Sequence, residues 1–87
     1  MTRVVVDVML KPEILDPQGQ AVERALPSLG LEGVRSVRIG KRIEVEVDDD
    51  VSDARALVEV VADKLLANLV IEAYTVTVVP DGAAVDG

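Results

Sequence analysis

The sequence predicts an α+β domain: a βαββαβ two-layer sandwich of ferredoxin-like type, with an antiparallel sheet and both helices on one face. Three observations predict it. Residues 3–10, 34–39, 42–48 and 72–79 carry the alternating or near-continuous apolar patterns of strands. Two intervening stretches, opening near Pro17 and Ser52, repeat their apolar residues at helical spacing. The chain of 87 residues thus reads as strand-helix-strand twice over, short enough for one small core.

In the first strand Val4, Val6, Val8 and Leu10 share one face, and Val5, Asp7 and Met9 the other. Asp16 is placed to cap the first helix, because its carboxylate can accept the free N–H groups of the opening turn. Pro17 suits the first helical position, where its missing N–H costs nothing. Val22, Ala25, Leu26 and Leu29 form the apolar face, and Gly30 is a natural stop. Pro27 cannot donate to the Glu23 carbonyl and disfavours helical angles at Leu26. The helix therefore ends near Leu26 or bends in its last turn.

The strands at 34–39 and 42–48 are expected to form a hairpin. A three-residue turn, Gly40-Lys41-Arg42, sets Ile39 opposite Ile43 and Val37 opposite Val45. A two-residue turn would set Val37 opposite Glu44 and mix the faces, so the longer turn is favoured. Asp48-Asp49-Asp50 closes that strand and Ser52 is the expected cap of the second helix. Ala54, Leu57, Val58, Val61 and Leu65 make its stripe, with Leu66 beside it. Asp53 in the first turn and Lys64 in the last suit the helix dipole, and Asn68 is expected in the left-handed terminal position. In the last strand Tyr74, Val76 and Val78 oppose Thr75, Thr77 and Val79. Residues 1–79 make one domain, and 80–87 are expected to be a flexible C-terminal tail.

The sheet face away from the helices would carry Val5, Met9, Thr75, Thr77 and Val79 beside Asp7 and the glutamates. That mixture suits a subunit contact, and Tyr74 as the only aromatic leaves a core poor in large rings. A homo-oligomer is expected on both grounds. The net charge of −7 argues against nucleic acid, which needs a positive footprint. Cysteine is absent, which removes disulfides and thiolate metal sites and fits a cytoplasmic protein. No basic segment precedes an apolar stretch at the N-terminus, and the apolar runs are too short to span a bilayer, so neither a leader nor a membrane partner is expected.

Candidate chemistry is sparse. There is no His to act as a base near neutral pH, and Ser28, Ser36 and Ser52 have no His to activate them. Asp48-Asp49-Asp50 reads as a solvated strand end or as a divalent-cation site, but consecutive carboxylates on an extended chain diverge and a turn glycine is missing. Arg38, Gly40 and Lys41 read as an exposed basic hairpin tip or as a contact for a partner or anion. Gln18-Gly19 reads as the polar first turn of a helix or as a partner contact. Capping accounts for Asp16 and Pro17 and leaves Gln18 and Gly19 in surplus. No residue is assigned to catalysis, metal or cofactor.

Asp16-Pro17-Gln18-Gly19, Val37-Arg38-Ile39-Gly40-Lys41, and Leu65-Leu66-Ala67-Asn68 with Val70-Ile71-Glu72 stand in the order and spacing of the PurS family. The chain resembles that family from about residue 3 to residue 79. Leu69, where many relatives have Pro, and Pro27, where they keep a helix former, are departures at helix ends. The resemblance implies a non-catalytic accessory subunit of phosphoribosylformylglycinamidine synthase, an ATP-dependent glutamine amidotransferase of de novo purine biosynthesis. It implies a synthetase partner (PurL) that uses ATP and Mg²⁺ and a glutaminase partner (PurQ) that releases ammonia. The subunit would bridge the two as a homodimer or homotetramer while FGAR is converted to FGAM. The alternative is a ferredoxin-like regulatory module that binds a small ligand.

Overall fold

The structure, a computed structural model, describes residues 1–79. The expected tail at 80–87 lies outside the described residues. Five regular elements follow one another: β1 (Thr2–Leu10), α1 (Pro17–Ala25), β2 (Lys41–Val47), α2 (Ala54–Val61) and β3 (Glu72–Val79). Among the described residues the sheet has three strands in the order β2-β1-β3, antiparallel throughout. Those are the first, third and fourth strands of the expected α+β arrangement, in ferredoxin-like order.

β1 is the centre because its even-numbered valines are flanked on both sides. Val4 lies between Val45 and Val78, and Val6 between Ile43 and Val76. α2 covers this face, with its Val58 and the following Ala62 fully buried against Val4, Val6, Val8 and Val76. Burying one such valine side chain is worth on the order of 1.5–3 kcal/mol.

Four local expectations are corrected. Residues 34–39 are not a sheet strand and the three-residue turn does not form, because Lys41 and Arg42 already pair with Val8 and Asp7 in β2. α1 does not lie over the sheet face beside α2. It lies instead against residues 37–39 and the 3-10 turn Pro27–Leu29, and Leu29 is 69% exposed. α2 is capped by Asp53, whose carboxylate accepts the Ala56 N–H at 3.0 Å, one residue later than Ser52. Asn68 is not left-handed: no non-glycine residue described here has positive φ, and its Oδ1 instead accepts the Val70 N–H at 3.1 Å.

Pro27 acts as expected. α1 stops at Ala25, a 3-10 turn begins at Pro27, and Gly30 closes it in the left-handed region at φ 76°. The end of α2 departs from its pattern through a π-helical turn, Ala62–Leu66. The wider turn rotates the chain by about one residue. Leu66 then packs on the core, while Leu65 stands 80% exposed.

The opposite sheet face carries an ion-pair ladder. Arg3 reaches Glu44 at 3.8 Å and Glu46 at 3.5 Å, and Arg42 reaches Asp7 at 3.8 Å. Val5, between Glu44 and Thr77, is only 1% exposed, so its burial needs no partner subunit.

Candidate functional site

The segment after Gly33 runs along α1 instead of along β2, and two carboxylates set that path. Asp16 is the N-cap of α1, its Oδ1 accepting the Gly19 N–H at 2.9 Å. Its Oδ2 accepts the Ile39 N–H at 2.8 Å. Two helical turns on, Glu23 Oε2 accepts the Val37 N–H at 2.8 Å. Alternate N–H groups of one extended stretch are thus bound to α1, which is why residues 34–39 do not close on their own β2.

Both glycines of the expected site have steric causes. A Cβ at Gly19 would overlap the Val37 carbonyl oxygen, so the missing side chain admits the segment to the first turn of α1. A Cβ at Gly40 would overlap the Val8 carbonyl oxygen and Met9 Sδ. Gly19 is therefore not in surplus of structural need, contrary to the expectation from capping alone. Gln18 has no such explanation.

The N–H groups of Gly19 and Ile39 hold the Asp16 carboxyl below its ordinary range, and the Arg38 charge adds to the effect. The Arg38 guanidinium donates to the Leu10 carbonyl oxygen. Gln18, Gly40 and Lys41 come together on a cleft of about 190 Å³ with Val8, Leu10 and Glu72. Arg38 lines an adjoining groove of about 370 Å³ with Ile14, Asp16 and Glu23. The five residues expected from sequence thus surround one corner of the molecule, where α1 begins and β2 begins. The corner carries an ammonium, a guanidinium and a carboxamide.

Elsewhere, the Tyr74 hydroxyl lies 3.4 Å from Asp63 Oδ1 and 3.5 Å from the Glu59 carbonyl. Burial, then the Asp63 charge, raises its pKa above the usual phenol range. At the aspartate run, the Asp49 carboxylate faces the N-terminal ammonium at 3.0 Å and the Asp48 backbone carbonyl accepts the Val51 N–H at 3.1 Å in a turn. Among the described residues no three acidic side chains converge to hold a metal ion.

Glu23 and the second bond of Asp16 are absent from the sequence reading. Asp16 is visible as a cap because its acceptor role is local. Its bond to Ile39, like that of Glu23 to Val37, joins distant positions that carry no common pattern.

Comparison with known proteins places these features in a family. Residues 3–80 match the family model described as PurS: phosphoribosylformylglycinamidine (FGAM) synthase. The chain is 54% identical over 77 residues to the phosphoribosylformylglycinamidine synthase subunit PurS of Mycobacterium leprae, covering 88% of this chain and 95% of that protein. It superposes on the structure of Bacillus subtilis PurS with a TM-score of 0.82 at 45% identity, covering 92% of this chain and all of that one. A chain in the structure of PurLQS from Thermotoga maritima gives a TM-score of 0.76 at 29% identity, over 90% of this chain and 96% of that one.

Proposed function

Since the chain belongs to the PurS family of phosphoribosylformylglycinamidine synthase, we propose that it is the accessory subunit that bridges a synthetase and a glutaminase in de novo purine biosynthesis. The observation that carries this is the likeness, over nine-tenths of the chain, to a chain within a PurLQS structure. The chemistry is divided accordingly. The glutaminase hydrolyses glutamine to glutamate and ammonia. The synthetase uses ATP and Mg²⁺ to activate the amide of FGAR, and ammonia then replaces its oxygen to give FGAM. This chain has neither His nor Cys, and its role is to hold the two enzymes so that ammonia passes between them.

The corner formed by Gln18, Gly19, Arg38, Gly40 and Lys41 is the surface proposed to meet a partner enzyme. The glycines shape it and the three polar side chains recognise. We place the complex in the cytoplasm and the subunit in it as a homodimer or homotetramer. The likenesses found give no support to the small-ligand regulatory reading. Gel filtration of the chain mixed with the synthetase and glutaminase of the same source tests the proposal. Co-elution of all three with glutamine and ATP present is expected, and separate elution would overturn it.

A further inference from the structure

We propose that the turn at 68–72 holds Val70 out as a rigid apolar knob that seats in an apolar hollow of a partner enzyme, with Arg38 and Lys41 meeting carboxylates on the rim of that hollow. The inference deepens the partner surface proposed above and rests on that reading.

The turn is braced from within. The Asn68 carbonyl oxygen accepts the N–H groups of Ile71 and Glu72 at 3.0 and 2.7 Å. Asn68 Oδ1 accepts the Val70 N–H at 3.1 Å, and Glu72 Oε1 accepts the Asn68 N–H at 2.7 Å. The N–H groups of Asn68, Val70, Ile71 and Glu72 are thus all bonded inside the turn. The Ile71 carbonyl oxygen also accepts the Lys11 N–H at 2.8 Å, which ties the turn to the chain leaving β1.

What this frame presents is apolar. Tight turns ordinarily carry polar residues at their tips. Here Val70 is 79% exposed, and Leu69 and Leu65 are exposed as well. Leu66 and Ala67 pack on the core, and Asn68 and Glu72 make the bracing bonds. Val70 is left as the member of that sequence segment to which packing gives no task. A β-branched side chain on a braced backbone has little freedom to lose on burial, so it suits an anchor.

Glu72 joins the knob to the corner. The residue that holds Asn68 also lines the cleft with Gln18, Gly40 and Lys41. Charge at the corner decides what should face it. Its carboxylates are already engaged, since Asp16, Glu23 and Glu72 each accept a backbone N–H. Arg38 donates to the Leu10 carbonyl oxygen, and among the described residues neither Arg38 nor Lys41 is in an ion pair. The unmet requirement is for carboxylates beside a place to bury Val70, and a partner that offers both complements the whole surface.

The test is FGAM synthesis by the synthetase and glutaminase of the same source, with glutamine and ATP, as the chain is titrated in. Val70→Asp should raise the chain concentration at half-maximal rate about tenfold or more, with Tm and light-scattering mass those of the unaltered chain. Val70→Lys should raise it less, because carboxylates on the rim attract an ammonium and repel a carboxylate. Val70→Ile should titrate within about twofold of the unaltered chain. If Val70→Asp titrates like the unaltered chain, the knob is overturned, and a loss confined to Arg38→Ala/Lys41→Ala would leave the corner standing without it. A larger loss with Val70→Lys than with Val70→Asp would overturn the acidic rim. A changed light-scattering mass of Val70→Asp would assign the knob to a contact between copies and overturn the docking site. A glutamine-dependent rate that ignores the chain altogether would overturn the accessory reading itself.

Discussion

Asp16 accepts backbone N–H groups from two places, the first turn of α1 and the end of the segment at Ile39. Its folded pKa lies below the ordinary carboxylate value, so its stabilisation is present above that value and is lost as pH falls through the lower, folded one. Thermal melts from neutral pH to about pH 2 should show this loss below about pH 4. Asp16→Asn should melt lower at neutral pH and flatten the acid limb, since the amide keeps one acceptor oxygen and no charge. An unchanged acid limb would remove Asp16 from that role. Gly19→Ala tests the neighbouring contact. Helix propensity alone favours Ala by about 0.5–1 kcal/mol. The overlap with the Val37 carbonyl should reverse that sign and lower Tm, whereas a raised Tm would mean the segment moves aside freely. The cap at Asp16 was legible in Asp-Pro, because capping is a matter of adjacent residues. The steric need for Gly19 was not, because its cause lies in a carbonyl eighteen positions away.

α2 shows how far periodicity carries. Ala54 and Val58 of the stripe were legible and pack on the core, but Leu57 stands 44% exposed, and the π-helical turn after Val61 puts Leu66 inward and Leu65 outward. Val58→Ala should cost about 2 kcal/mol from the lost side-chain burial and the cavity left behind. For a domain of this size that is a fall in Tm of about 8–16 °C. Leu65→Ala should change stability by less than about 0.5 kcal/mol. Comparable losses at the two positions would mean that the helix is regular to its end. The pattern at 34–39 was also legible as a strand pattern, but its partner was not. Alternation specifies which side chains share a face and says nothing of what the backbone bonds to, which here is the pair of carboxylates Asp16 and Glu23. Asp53 displaced Ser52 as the cap for a smaller reason: both residues can accept the N–H, and the helix starts one position later.

At the scale of the molecule, the order of elements and the antiparallel sheet followed from the sequence, while the placing of α1 and the segment did not. A small valine core under a single helix leaves polar and apolar surface that function must use. The corner near Lys41 is the part proposed for partner enzymes. Replacing Arg38 and Lys41 with Ala should leave Tm nearly intact, because exposed charges contribute about 0–1 kcal/mol. The same change should lower the yield of the three-subunit complex by gel filtration, more so as salt rises. A complex of normal yield would move the contact surface elsewhere. The proposed role of this chain is to couple two enzymes without chemistry of its own. The direct test is FGAM synthesis by the synthetase and glutaminase, with and without this chain, using glutamine or free ammonia as the nitrogen source. A large loss of the glutamine-dependent rate is expected when the chain is omitted, and a much smaller loss with ammonia. A full glutamine-dependent rate in its absence would contradict it.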